Sequence, residues 1–299
     1  LAANTTGLRN TAVGRRALVA NTEGVDNDAF GRHALEANTT GSQNVAIGRA
    51  TLATSQTAND NTAVGFGAGL LVTTGIRNTL IGSLAGDALT DADFNVAVGY
   101  SALTADTQGS RSVALGHLTL SSQNFTTATD SYNIAVGSHA GVSLTTGVEN
   151  VLIGGKAGAA LTDADGNVAI GRASLTSDTL GSKSTAIGFQ TLQNQNFTTA
   201  TDSLNTAVGY QAGAAVTVGQ LNTLVGALAG DAITSGGNNT AIGYLALSAE
   251  DGHGENTAVG SQALRVQNAG ASGNNTAVGY NAGGAVTTGE SNTLIGGLA

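Results

Sequence analysis

The side chains best suited to metal ligation or proton transfer near neutral pH are four histidines, His33, His117, His139 and His253. They share no common spacing, so neither a histidine ladder nor a metal cluster is expected. The run Asp163-Ala164-Asp165-Gly166-Asn167 is similar to the opening of a calcium loop. Its counterpart Asp91-Ala92-Asp93-Phe94-Asn95 lacks the Gly, and no bidentate Glu follows, so solvated turn carboxylates are the expected reading. Such pairs also have the chemistry of an acid and a base for sugar hydrolysis. They recur by duplication, however, whereas a catalytic site departs from its repeat. The Gly-rich words lack the Gly-Lys-Ser/Thr that completes a phosphate loop. With no Cys, disulfides, a thiol nucleophile and Cys-ligated metals are excluded. The expectation is a chain without catalytic residues, cofactor or metal.

The 299 residues include 44 Gly and only 10% charged residues, with a net charge of -9. A phosphate-binding surface needs clustered Lys and Arg, so a nucleic-acid partner is not expected. Five Arg (Arg9, Arg15, Arg16, Arg32, Arg49) do gather in the first 50 residues. No apolar run approaches the length of a membrane span, so no membrane insertion is expected. The chain contains no Met and opens Leu1-Ala2-Ala3-Asn4, which reads as a segment or processed form without a signal peptide.

The elements that would position any site come from a repeat. A word Asn-[Thr/Val/Ile]-[Ala/Leu]-[Val/Ile]-Gly ends at Gly14, Gly31, Gly48, Gly65, Gly82, Gly99, Gly116, Gly137, Gly154, Gly171, Gly188, Gly209, Gly226, Gly243, Gly260, Gly279 and Gly296. Thirteen of the sixteen spacings are 17 residues, two are 21 and one is 19. Ser112 and Ser184 replace the Asn in two copies, and the inner positions stray only at Asp28, Phe30 and Leu115. From residue 61 onward a four-coil unit of about 72 residues is superimposed, and Gln123 to Ser131 returns unchanged as Gln195 to Ser203. Insertions confined to one phase belong to a surface turn.

This period predicts an all-β, parallel β-solenoid or β-roll of 17 coils occupying residues 1–299 as one continuous domain. Seventeen residues are too few for a two-helix repeat, and the word is β-branched and bounded by Gly. Stacked Asn would form an amide ladder, or serve turn geometry alone. In Asn44-Val45-Ala46-Ile47-Gly48 the alternation puts Val45 and Ile47 on one face and Ala46 on the other. A strand apolar on both faces is buried on both. One face fills the coil's own core, so the other is expected to meet a second copy of the chain. The Ala/Leu file is assigned to that contact: Ala12, Ala46, Ala63, Leu80, Ala97, Ala135, Leu152, Ala169, Ala207, Leu224, Ala241, Ala277 and Leu294.

Volume is exchanged within the coil. Four residues after the Gly, coils carry Leu (Leu18, Leu35, Leu103, Leu175, Leu247) with a polar residue three positions later. Others carry Gly there (Gly69, Gly86, Gly141, Gly158, Gly213, Gly230, Gly283) followed by Val72, Leu89, Leu144, Leu161, Val216, Ile233 and Val286. One bulky aliphatic per coil is what a close-packed interior requires. A last file, the residue after each Gly, is a candidate surface-binding column: Arg15, Arg32, Arg49, Phe66, Tyr100, His117, Arg172, Phe189, Tyr210, Tyr244 and Tyr280. Stacked at coil spacing, these side chains would form a ridge for sugar or protein, or seal a corner or chain–chain seam.

Asn44 to Gly48, Asn133-Ile134-Ala135-Val136-Gly137 and Ser112-Val113-Ala114-Leu115-Gly116 resemble the Asn-Ser-Val-Ala-Ile-Gly word of trimeric autotransporter adhesin heads, the YadA-like β-roll. Asn205 to Gly213 and Asn275 to Gly283 also resemble repeats of phage tail-fibre shafts. The resemblance covers essentially the whole chain, although those adhesin coils are shorter. It implies a left-handed roll, a homotrimer, and display or attachment at a cell surface or virion appendage. The functional expectation is a non-enzymatic, extracellular structural fibre or adhesin segment whose partners are itself and a host-surface glycan or protein. The alternatives are a phage tail fibre or tailspike that binds a receptor or hydrolyses glycans, and an ice-binding solenoid. The hexapeptide β-helix of acyltransferases is rejected, because its word occurs once per 17 residues rather than three times per 18. The Thr phase of Thr6, Thr40, Thr57 and Thr74 is broken by Glu23, Asp91 and Gln108, which counts against ice binding.

Overall fold

A computed structural model describes residues 1–269 and 272–299. Among them there is no helix, and each word forms a three-residue strand. Two compact units are distinguished, Leu1–Glu149 and Asn150–Ala299. The first carries eight word strands, from Thr11–Val13 to Ile134–Val136, and the second carries nine, from Val151–Ile153 to Thr293–Ile295. Within each unit every strand pairs in parallel with its counterpart one coil on, word position against word position, as in Val45↔Thr62, Ala46↔Ala63 and Ile47↔Val64. The chain is therefore a parallel β-solenoid.

Stacking extends beyond the strands. Thr22, Glu23 and Gly24 donate three successive N–H groups to the single carbonyl of Thr39, and the turn at Thr39 to Gly41 does the same to Gln56. The word Gly explains its own invariance. Gly65 has φ +137°, and a Cβ on it would stand 2.4 Å from the carbonyl oxygen of Gly82. Both the backbone angle and the close approach exclude a side chain.

The Asn file forms the expected amide ladder. Asn61 is fully buried; its Nδ2 donates to Asn44 Oδ1 at 3.3 Å and to the Gly75 carbonyl at 2.9 Å. Its Oδ1 accepts the N–H of Asn78 at 2.9 Å and Asn78 Nδ2 at 3.1 Å. One side chain thereby ties three coils together.

The face assignment of the strand is corrected. The Ala/Leu file does not face outward toward another chain: Ala46, Ala63, Leu80, Ala97, Ala135, Leu152, Ala169, Ala207, Leu224, Ala241 and Ala277 are all 0% exposed, inside their own coils. Ala12 and Leu294, in the first and last coils, are half-buried. The outward residues are the β-branched ones, with Val13 55%, Ile47 42% and Ile242 39% exposed. The reason is space. A fully buried Leu such as Leu18, Leu35 or Leu52 already fills the narrow interior, leaving the strand room for a methyl group. Where that Leu gives way to Gly, the strand supplies the volume. A Cβ on Gly69 or Gly86 would lie 2.8 Å from a Leu80 methyl, and Leu224 stands in the same relation to Gly213 and Gly230, at 2.7 and 2.8 Å. The exchange of bulk thus runs among three positions, not two.

The four-residue insertions sit on the surface. Thr126, Thr127 and Ala128 are exposed, Phe125 anchors them as a buried side chain, and Thr129–Asp130 pairs in parallel with Gly109–Ser110. Thr201–Asp202 and Gly181–Ser182 repeat the arrangement.

Candidate binding ridge

The residue after the word Gly leaves the strand at a corner and projects outward. All of Arg15, Arg32, Arg49, Phe66, Tyr100, His117, Arg172, Tyr210, Tyr244 and Tyr280 are exposed, and Phe189 is half-buried. Coil stacking brings neighbours into face contact. The Arg49 guanidinium lies 5.4 Å from the Phe66 ring centre. Tyr100 stacks on His117 at 5.6 Å, and His117 meets His139 edge-on at 5.1 Å. In the second unit Arg172 covers Phe189 at 5.7 Å, and Phe189 stacks on Tyr210 at 5.6 Å with planes 6° apart. Small residues interrupt the file at Ser83, Ser138, Gly155, Ala227, Ser261 and Gly297, so it is a row of short stacks rather than one unbroken ridge. Each presents flat aromatic faces and cationic edges, a surface suited to the C–H face of a sugar ring or to a protein side chain.

A parallel file escaped the sequence reading. The residue before each word Asn takes a left-handed backbone, with φ 59° at Asp60, 58° at Arg77, 59° at Phe94, 63° at Arg111 and 49° at Tyr132. Arg77 and Arg111 lie on either side of Phe94, at 5.4 and 4.9 Å. Arg111 also faces Tyr132 at 5.8 Å and pairs with Asp130 at 3.0 Å. Earlier in the file Arg9 donates from Nε and Nη2, one edge of its guanidinium, to the two carboxylate oxygens of Asp26 at 2.5 and 2.8 Å. Those hydrogen bonds hold the Asp26 carboxyl below its ordinary range, although so exposed a pair adds little stability. The periodic position was legible in the sequence; the alternation of charge and ring along it was the signal to follow.

Between these two files runs the outward strand face. In the second unit seven consecutive strands, from Thr185–Ile187 to Thr293–Ile295, read Thr-x-Val or Thr-x-Ile. Their register aligns Thr206 with Thr223 and Val208 with Val225. A row of hydroxyls therefore stands beside a row of branched aliphatics. This Thr file is distinct from the interrupted phase of Thr6 and Thr40.

The candidate acids serve turns. Asp91 Oδ1 accepts from Thr74 Oγ1 at 2.6 Å and Asp93 Oδ1 accepts the Ile76 N–H at 2.7 Å, while Asn95 and Asn167 belong to the buried ladder. Among the described residues three histidines, His33, His117 and His139, stay apart from any group of three potential ligands, and His117 and His139 share a ring contact. His33 meets the Glu36 carboxylate. His253 stands with Glu250 and Asp251 as a group of three potential ligand side chains.

Comparison with family models, curated proteins and solved structures finds no match.

Proposed function

We propose that the chain is a non-enzymatic structural segment of an extracellular fibre, shaft or head, that serves display or attachment at a cell or virion surface. The observation that carries this reading is the outward strand face. Within each unit Val and Ile stand exposed or half-buried at the third position of strand after strand, flanked by stacks of rings and guanidiniums, so an apolar strip is left without a covering partner among the described residues. Strips of this kind mark association surfaces. A homotrimer, in which three such faces turn toward a shared axis, accounts for them and agrees with the resemblance to trimeric adhesin heads. The β-branched file, not the Ala/Leu file, is then the chain–chain contact. The flanking stacks supply contacts to a host-surface glycan or protein.

Light scattering on the purified chain tests the assembly, with the mass of three chains expected. The double variant Ile47→Asn, Ile81→Asn is expected to keep its circular dichroism and fall to a monomer, since both side chains are already exposed in a single chain. A monodisperse wild-type monomer would overturn the trimer. Glycan-array binding that weakens in Tyr210→Ala supports the role of the stacks.

The seven-strand Thr row favours one second reading, a surface that orders water or ice. Its hydroxyls and methyls repeat at the strand spacing of about 4.8 Å. Thermal hysteresis of the wild-type chain, lost in Thr240→Lys, would establish it in place of a trimer that buries this face.

A further inference from the structure

One coil boundary in the second unit breaks the duplication, and its changes are coordinated. Two sister cassettes are built alike. In the first, Asp106 is fully buried. Its Oδ1 accepts the N–H groups of Gly109 and Phe125, each at 3.0 Å, and its Oδ2 accepts Gln123 Nε2 at 2.6 Å. Asp178, Gly181, Gln195 and Phe197 reproduce these bonds. A Cβ at Gly109 would strike Asp106 Oδ2 at 2.2 Å and the Phe125 ring at 2.7 Å, so no side chain is tolerated there while Phe is present.

In the third cassette Glu250, Asp251, His253 and Ala269 replace Asp, Thr, Gly and Phe, while Gln267 keeps the Gln. The ring is withdrawn, an imidazole enters at the forbidden position, and the carboxylate is lengthened by one methylene. His253 Nδ1 lies 3.1 Å from Glu250 Oε1 and 3.7 Å from Asp251 Oδ1, and one ligand atom from each residue falls within 4.8 Å of the others. Bonds of about 2.0–2.1 Å to a tetrahedral ion put ligand atoms roughly 3.3 Å apart, and the two His253 separations bracket that value. The His253 N–H donates to Glu250 Oε1 at 3.2 Å and orients the carboxylate.

A second observation also points to a ligand. The Glu250 side chain is 0% exposed, yet its Oε2 has no hydrogen-bond partner among the described residues, and neither has Gln267 Nε2. In both sister cassettes the corresponding atoms bond to each other at 2.6 Å. A buried carboxylate oxygen has therefore been released from its amide beside two further donor groups. His253 and Asp251 are 27% and 54% exposed, which leaves the group open to solvent for ion entry and for water as a remaining ligand.

We propose that Glu250, Asp251 and His253 bind a divalent transition-metal cation of the zinc class. An imidazole among two carboxylates suits such an ion better than calcium or magnesium, which select all-oxygen shells. The bound ion compensates the buried Glu250 charge and clamps the turn between two coils.

The full-length chain, stripped with chelator, is titrated with Zn2+ by calorimetry, and its thermal midpoint is followed with and without Zn2+. Zn2+ is expected to bind saturably and to raise the midpoint. Co2+ in its place is expected to give the visible absorption of a tetrahedral ion. His253→Gln is expected to lose one equivalent of Zn2+ together with that absorption. Asp251→Asn, at an exposed position that leaves the coil interior untouched, is expected to weaken binding at least tenfold. Absence of saturable Zn2+ binding in the wild type, or unchanged stoichiometry and affinity in both variants, would overturn the proposal.

Discussion

At the residue scale, the recurrence of the word Asn within this chain is a matter of hydrogen bonds, which at Ser112 and Ser184 take Gln123 and Gln195 as substitutes. Asn61 Oδ1 accepts from Asn78 in the following coil, while its Nδ2 donates to Asn44 in the preceding coil and to the Gly75 carbonyl on the following side. Asn61→Ala removes four contacts and leaves buried partners unsatisfied, each at about 1–3 kcal/mol before relaxation. A loss of about 3–5 kcal/mol is expected from urea midpoints at constant m. Asn61→Asp is expected to do no better, since a carboxylate oxygen would face the Gly75 carbonyl. Leu103 shows two effects opposing each other. Leu103→Gly opens a cavity worth about 2–5 kcal/mol. Leu103 also holds φ 56°, a left-handed backbone whose relief by Gly returns about 1–2 kcal/mol. The expected net loss is about 1–3 kcal/mol, and a loss near 5 kcal/mol would show that the backbone angle carries no strain.

At the element scale, what matters is how one coil turn meets the next. The Phe94 ring lies between two guanidiniums on a left-handed residue. Phe94→Ala is expected to cost about 1–2 kcal/mol through the two lost cation–π contacts. Phe94→Gly is expected to cost less, because it also relaxes φ; equal losses in chemical denaturation would refute the left-handed strain. Asp231 gives a pH signature. Burial pushes its carboxyl above the ordinary range, outweighing a backbone hydrogen bond that lowers it, and its Oδ1 has no partner among the described residues. The equivalent Asp87 receives a hydrogen bond from Thr104, whereas Ser248 donates instead to the Arg265 carbonyl. The folded chain therefore binds this proton more tightly than the unfolded chain. Stability falls as pH rises from the ordinary carboxylate value through the raised one, and the deficit persists above it. Asp231→Asn is expected to exceed the wild type in stability at neutral pH and to lose that advantage below the ordinary carboxylate value. A constant difference across this interval would count against a raised carboxyl.

At the scale of the whole molecule, strand contacts among the described residues of each unit run between adjacent coils, so stability is a sum of local terms. Gly65→Ala places a methyl 2.4 Å from the next Gly carbonyl. In hydrogen exchange it is expected to deprotect Val45–Ile47, Thr62–Val64 and Thr79–Ile81 while Ile134–Val136 keeps its protection. Uniform loss across the first unit would refute nearest-neighbour stacking. The 17-residue word determined the coil, the parallel register and the phase of the surface insertions, because each follows from a period and from residue types with narrow backbone demands, while it left the Asn file open between an amide ladder and turn geometry alone. Alternation in Val45-Ala46-Ile47 separated two faces but left open which was inside, since both are apolar. That was decided by the cross-section: the interior already held a Leu from the turn, so methyl-sized side chains went in and branched ones stayed out. Glu250, Asp251 and His253 are neighbours in sequence, but the room for an imidazole is a tertiary matter: in the first cassette the Phe125 ring lies 2.7 Å from a Cβ on Gly109, and Ala269 stands at the position of that Phe.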